Sequence, residues 1–196
     1  MKKMVEKEKR QTNILLSLSK LDYLTRSQLQ ILHNLGGERN AQKVLKRMSN
    51  YISCFRDGEN IYYLNSKGRA EVGGVVRKRL LQSRHYIMRN YLYIAFGQPD
   101  SWMSEQRLRI PKKVTVVADA IFYDEENRIH IVEADHTQKM IKNEKKIEKY
   151  KQLIELNVFD SKPKFVWITT TEYRREKLKK LCDGLDTVIF TVSEFS

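Results

Sequence analysis

The sequence predicts an α+β protein, in which a small and mainly helical N-terminal region precedes an α/β domain built on a mixed β-sheet. Three observations predict this class. Apolar residues before position 50 recur at helical spacing. The Asp57-Gly58 turn lies between two β-rich runs, as in a tight hairpin. Beyond Gly97 the predicted order is strand, strand, strand, helix, strand, helix, strand, which is typical of an α/β domain.

The first helix is predicted over about residues 6–21, with its apolar positions from Ile14 to Leu21 facing the core. The residues at its N-terminal end carry many positive charges, and two interpretations of them stay open. In the first interpretation these residues contact a phosphate backbone, and in the second they form the solvated end of the helix.

Two further helices are predicted over residues 25–48, separated by the Gly36-Gly37 break. Thr25 followed by Gln28 fits a capping box, which satisfies free N–H groups of the first turn. In the next helix, apolar residues from Ala41 to Met48 follow the spacing i, i+3, i+4, i+7 and must pack inward. The opposite face then carries side chains that suit the major groove of DNA: Arg39, Asn40, Gln42, Lys43, Lys46, Arg47 and Ser49.

Helix, turn, helix and two-stranded ribbon together predict a winged helix-turn-helix domain over residues 1–73. The ribbon would be the wing, with Arg56 near its tip. This arrangement predicts binding to double-stranded DNA. The alternative is an ordinary three-helix bundle whose basic face is solvated, and the predicted ribbon favours the winged domain.

The charge of the chain is unevenly distributed. The net charge is +13, and residues 1–90 hold 19 Lys+Arg against 7 Asp+Glu, a net charge of +12. Such a one-sided basic field indicates a polyanionic partner. Nucleic acid is favoured over a membrane surface, because the basic segment lacks a long apolar face. With no predicted signal peptide or membrane span, and with Cys54 and Cys182 far apart, we expect a cytoplasmic protein with reduced thiols.

The Gly73-Gly74 pair is the best candidate for a domain boundary. A long helix is predicted over residues 75–95, so that 74–97 would connect a domain of residues 1–73 to one of residues 98–196. The apolar content of this connector exceeds what one small domain needs. A homodimer could therefore form through residues 75–97 or through the C-terminal domain.

The elements of the second domain are predicted from alternating and helical patterns. A helical turn around residues 102–105, or the connector helix, would precede them. The predicted strands cover residues 106–110, 114–123, 128–135, 164–170 and 187–192, and the predicted helices cover residues 137–157 and 172–183.

Three carboxylates are predicted to meet on this sheet. Glu133 and Asp135 are two residues apart on a strand and share a face. Folding the hairpin about Glu126 places Asp119 opposite Glu133, where opposed side chains point the same way. Like charges this close are unfavourable unless a cation or a proton neutralises them, and a divalent cation such as Mg²⁺ or Mn²⁺ would take oxygen ligands of this kind and activate water.

The second half of the chain resembles the PD-(D/E)xK nuclease core, the restriction-endonuclease-like fold. More narrowly, the whole chain resembles the replication-relaxation family of plasmids and integrative conjugative elements. The similar segments are Trp102-Met-Ser-Glu105, Ala118-Asp119-Ala120, Glu133-Ala-Asp135, and a lysine-rich helix from Lys142 to Tyr150.

The resemblance implies a catalytic and metal-binding set of Asp119, Glu133 and Asp135. In active nucleases of this fold the third motif position is usually Lys, and here it is Asp135. The helix could supply a replacement, and the candidates are Lys139, Lys142, Lys146 and Gln138; Lys146 is taken as the catalytic lysine.

Together these observations predict a sequence-specific DNA-binding protein of a plasmid or mobile element, acting in replication, DNA relaxation or transcriptional control. One alternative is a Mg²⁺- or Mn²⁺-dependent DNA endonuclease. Another is an adaptor that binds replication proteins or the relaxosome of conjugation.

Overall fold

The computed structural model describes residues 2–76 and 82–195, and it shows an α+β protein with a mixed five-stranded sheet. The chain divides into two compact units, residues 1–90 and 91–196. The first unit coincides with the part of the sequence that carries the basic excess. In the described part of the chain, no helix has both the length and the apolar character that crossing a membrane requires.

The first unit contains helices and a small antiparallel sheet. Its sheet has the strand order β1-β3-β2. The elements in chain order are α1 (Lys2–Leu21), β1 (Leu24–Thr25), α2 (Arg26–His33), α3 (Glu38–Lys46), β2 (Ile52–Asp57), β3 (Glu59–Leu64), α4 (Ser66–Val72) and the start of α5 (Ser83–Ala95).

Local sequence signals set the turns of this unit. The predicted capping box is confirmed, because Gln28 N donates to Thr25 Oγ1 at 3.1 Å and Thr25 N donates to Gln28 Oε1 at 3.2 Å. The predicted hairpin is confirmed as well, with Asp57 paired to Glu59 around Gly58. Gly58 has φ +74°, a backbone conformation that residues other than glycine rarely adopt.

The apolar stripes pack as predicted. Ile14 and Leu18 of α1 and Ala41 and Leu45 of α3 are buried. Gln28 is buried among them, and its amide donates to the carbonyl of Ile87 at 2.9 Å, which leaves this polar group satisfied.

The long helix predicted over residues 75–95 begins later than expected. Gly73 and Gly74 both have positive φ, and the exposed Val75 and Val76 after them are not helical. β-Branched residues behind two glycines favour such a break. Residues 77–81 of the prediction lie outside the described residues, and helix α5 begins at Ser83. The proposed connector over 74–97 and its dimer role stay predictions.

The second unit is built on the strand order β4-β5-β6-β7-β8, antiparallel from β4 to β6 and parallel from β6 to β8. The predicted strands and helices are present, with ends shifted by up to three residues. The observed elements are β4 (Met103–Ile110), β5 (Val114–Tyr123), β6 (Ile129–Asp135), α6 (Met140–Glu155), β7 (Lys164–Thr169), α7 (Glu172–Leu181) and β8 (Thr187–Thr191).

The helical turn predicted around residues 102–105 is wrong, because β4 begins at Met103. Trp102 is buried just before the strand, where its ring stacks on Phe122 and meets Tyr93 edge-on. Burial of this ring fixes the start of the strand in a way that local propensity does not reveal.

Helices α6 and α7 cover the core of this sheet. Ile147 and Leu153 of α6 and Leu178 of α7 pack with Phe165 and Trp167 of β7 in one buried cluster. Phe122, His130 and Phe190 are strand neighbours of other members of this cluster, and their rings meet the ring of Phe96 in a second, aromatic cluster. The sheet is thus packed on both faces, which holds β6 rigidly in place.

The two cysteines are expected to differ in reactivity. Cys54 is exposed, whereas burial raises the pKa of the Cys182 thiol to about 11. At about pH 8 the Cys182 thiolate is scarce and inaccessible, so one thiol per chain should react with Ellman's reagent in the folded protein. Two should react in denaturant, and Cys54→Ser should abolish the reaction of the folded protein. Two thiols reacting in the folded protein would contradict the buried position of Cys182.

Candidate functional site

The outer face of α3 is polar and exposed, as predicted. The turn after α3 continues this face, and Arg56 is exposed on β2 near the hairpin tip. All the side chains predicted for this face are exposed: Arg39, Asn40, Gln42, Lys43, Lys46, Arg47 and Ser49. The buried positions Ala41, Leu45 and Met48 turn this face outward.

Three acidic residues of the first unit are paired with arginines, and one of them, Glu38, is the first residue of α3. Arg26 contacts Glu38 at 2.6 Å and Arg84 contacts Asp57 at 2.6 Å, while Arg89 contacts Asp22 at 3.3 Å. Within residues 2–76 and 82–195, the side chains of the predicted cationic contacts have no hydrogen bond or ion pair: Arg39, Lys43, Lys46, Arg47 and Arg56. Their charges are therefore open to an external anion.

Two amides of the predicted face are already engaged. Asn40 Nδ2 donates to the carbonyl of Leu35 at 2.7 Å, and this bond closes the turn between α2 and α3. Gln42 Nε2 donates to Glu38 Oε1 at 3.2 Å. Contact of either amide with an adenine edge would first require breaking these bonds, so the arginines and lysines are the side chains ready for an external contact.

The second candidate site lies on β5, β6 and α6. The observed pairing of Ala120 with Val132, continued by one residue, places Asp119 opposite Glu133, as predicted. Asp119 Oδ2 accepts a hydrogen bond from the backbone N–H of Ala134 at 2.8 Å. The strand register thus brings these two carboxylates together.

Lys146 and Tyr150 complete this cluster from the inner face of α6. The ammonium of Lys146 donates to Glu133 Oε2 and lies 3.6 Å from Asp119 Oδ1. The Tyr150 hydroxyl donates to the other oxygen of Glu133. Lys146 and Tyr150 are four residues apart, so one helical face delivers both groups.

Burial and charge shift the pKa values within the cluster. Burial, and then the neighbouring Asp119, raise the pKa of Glu133 well above its usual range. Burial lowers the pKa of Lys146, but Glu133 and Asp119 outweigh it and raise the pKa overall. Burial, followed by Glu133, raises the pKa of Tyr150, which therefore remains a hydrogen-bond donor. Lys146 stays a cation at neutral pH.

Asp135 belongs to a different cluster. It is fully buried, and Arg174 of α7 binds it through two nitrogens, at 2.7 and 2.6 Å. Thr169 Oγ1 and Asn143 Nδ2 donate to the same carboxylate at 2.8 and 2.9 Å. Arg174 also donates to the carbonyl of Gln138 at 2.7 Å.

The three carboxylates predicted to surround one ion therefore lie in two separate clusters. Asp119 and Glu133 both form ion pairs with Lys146, whereas Asp135 forms an ion pair with Arg174. In residues 2–76 and 82–195, no three His, Cys, Asp or Glu side chains form a group that could hold a metal ion. The residues as arranged do not fit a divalent cation, because two protein cations already occupy these carboxylates.

Of the helix candidates for a replacement lysine, Lys146 is the one at the carboxylates. Lys139 and Lys142 are exposed, and Gln138 lies near Asp135 through Asn143. Sequence reasoning missed Arg174. The available signal was its place in the first turn of the helix after β7, next to the strand end that carries Asp135.

The chain matches the model of a known protein family. The model of the replication-relaxation family matches residues 15–166, which is most of the chain. No curated protein matches the sequence. The crystal structure of protein VC1899 from Vibrio cholerae is similar at 12% identity and a TM-score of 0.44, covering 95% of this chain. This chain spans about half of VC1899, 53% of its length.

Proposed function

The chain belongs to the replication-relaxation family, and on that premise we propose that it binds double-stranded DNA of a plasmid or other mobile element. The binding would serve replication or relaxation of that DNA, or transcriptional control. Residues 1–73 would act as a winged helix-turn-helix, with α3 in the major groove and the β2–β3 hairpin as the wing. The observation that carries this proposal is the exposed cationic face of α3 without acidic partners among the described residues.

The dimensions of α3 support this role. Nine residues give a helix of about 13 Å, close to the width of the major groove at about 12 Å. Lys43, Lys46 and Arg47 span its C-terminal half and the turn beyond, where phosphates can be reached on one side of the groove. Arg39 lies one turn earlier and could donate to a guanine edge. Arg56 on the hairpin would contact the backbone of the duplex.

The electrostatics of the first unit also favour a polyanion. Three of its seven acidic side chains, Asp22, Glu38 and Asp57, form ion pairs with arginines of the same unit. These arginines therefore offset three of the negative charges that would otherwise repel DNA. Each lysine or arginine that reaches a phosphate releases condensed counterions, so the proposed binding must weaken as salt increases.

For the second unit we propose the restriction-endonuclease-like fold. Support comes from the strand order β4-β5-β6-β7-β8, with an antiparallel β4–β6 part and a parallel crossover through α6. The places of Asp119 and Glu133 on neighbouring strands agree with the proposal.

The double variant Lys43→Ala/Lys46→Ala tests DNA binding. Loss of two phosphate contacts should weaken duplex binding about tenfold or more and reduce the log–log salt slope by about 2. Fluorescence anisotropy with labelled duplex over a salt series measures both. Because both side chains are exposed, the unfolding temperature should not change.

A matched control removes the same charge from the second unit. Lys145→Ala/Lys149→Ala also takes two exposed lysines from a helix, and it should keep the affinity and salt slope of the wild type. Equal losses in both variants would show a dependence on net charge rather than on α3. Selection of bound duplexes from a random pool would give the preferred sequence, and a palindromic motif would indicate a dimer.

A further inference from the structure

We propose that Lys146 is a built-in counter-ion that stands between Asp119 and Glu133 in place of a divalent metal. The proposal concerns the second unit and is independent of whether α3 binds DNA. It follows from the contacts of three carboxylates and two cations.

Glu133 is the first of these carboxylates. Its side chain is 1% exposed, and its two oxygens accept hydrogen bonds from Lys146 and Tyr150. A buried carboxylate requires such partners, because burial removes the water that would otherwise solvate its charge. The two oxygens that a metal would use are therefore taken by groups of the same helix.

Asp119 shares the same ammonium. Lys146 Nζ lies 3.6 Å from Asp119 Oδ1, while Asp119 Oδ2 accepts from the Ala134 N–H. Two neighbouring carboxylates repel each other unless a cation or a proton neutralises one of them. Lys146, whose side chain is 21% exposed, supplies this cation as part of the fold.

Asp135 is unable to serve as the third ligand in this arrangement. The two nitrogens of Arg174 and the donors of Thr169 and Asn143 use its oxygens. A divalent cation such as Mg²⁺ is held by several oxygen ligands. Lys146 and Arg174 together thus neutralise the carboxylates that would have held the metal.

The proposal predicts a site that opens to metal when the ammonium is removed. In Lys146→Ala, the carboxylates of Asp119 and Glu133 would be left without their cation, and Mn²⁺ could bind in its place. The unfolding temperature of this variant should rise by several degrees with millimolar Mn²⁺, since a ligand that binds the folded state stabilises it. The wild type should show no such rise.

The controls use the full chain and isothermal titration with Mn²⁺ beside the melting curves. Lys142→Ala removes an exposed lysine one turn earlier in α6 and should behave as the wild type does. Lys146→Ala/Asp119→Asn should lose the Mn²⁺ response. A folded Lys146→Ala that does not respond to Mn²⁺ would overturn the proposal.

A measurement on the wild type tests the proposed role of Lys146 even if Lys146→Ala does not fold. Mn²⁺ binding by the wild type that Asp119→Asn abolishes would overturn the proposal. Mn²⁺-dependent nicking of supercoiled plasmid that Asp119→Asn abolishes would also overturn it. Wild-type protein that binds no Mn²⁺ and leaves the plasmid intact agrees with it, whatever the result of the DNA-binding experiment.

Discussion

Asp135→Asn should lower the free energy of unfolding by about 3–5 kcal/mol, because it removes the fully buried carboxylate of an ion pair whose arginine is only 22% exposed. The carboxylate holds Arg174, Thr169 and Asn143, and an amide cannot accept all of their hydrogen bonds. Arg174 would lose its partner at the end of β6. For a chain of this size the unfolding temperature should fall by about 10 °C, measured by calorimetry or circular dichroism.

An exposed pair in the same unit provides the control. Asp186 pairs with Arg128 at the surface, where the two side chains are 39% and 28% exposed. Solvent screens this pair, so Asp186→Asn should cost less than about 1 kcal/mol. Equal losses in the two variants would show that the contact between Asp135 and Arg174 contributes no more than a surface ion pair.

Much of the second unit could be predicted because its signals are local. The bounds of β5, residues 114–123, follow from a continuous β-rich run. The loop around Glu126 fixes the fold of the hairpin, and the observed register places Asp119 opposite Glu133 as the loop centre implied. The hydrophobic period of a strand and the position of a turn depend on neighbouring residues, so they are the same in the sequence pattern and in the folded chain.

The partners of the carboxylates could not be predicted in the same way. Arg174 lies far from Asp135 in the sequence, and their contact depends on the parallel pairing of β6 with β7 and on the start of α7. No local pattern encodes that pairing. Turn spacing offered Lys139, Lys142 and Lys146 as candidates, and the packing of α6 places Lys146, the one chosen from the sequence, beside Glu133.

In the first unit the helical face of α3 was predictable, but the state of its amides was not. The spacing of Ala41 and Leu45 determines which residues point outward. The bond from Asn40 to the Leu35 carbonyl depends on the conformation of the Gly36-Gly37 turn. A polar residue at the start of a helix can contact DNA or close its own turn, and its sequence position does not distinguish these roles.

Arg89→Met should cost about 3 kcal/mol, because it leaves Asp22 without its buried partner. Arg89 is 1% exposed, and its guanidinium lies 3.3 Å from Asp22 Oδ2 and donates to the carbonyl of Leu21 at 3.2 Å. Methionine keeps an apolar stem of similar length beside Tyr86 but removes the charge. Urea unfolding of the wild type and the variant would measure the difference.

Arg84→Met is the matched control, since it changes the same residue type in the same helix. Arg84 also pairs with an aspartate, Asp57, at 2.6 Å, but both side chains are more than 40% exposed. We expect a loss below about 1 kcal/mol despite the shorter contact, because water screens the charges. A larger loss in Arg84→Met than in Arg89→Met would contradict the argument, since burial of the remaining aspartate, rather than the length of the ion pair, is what makes the first substitution costly.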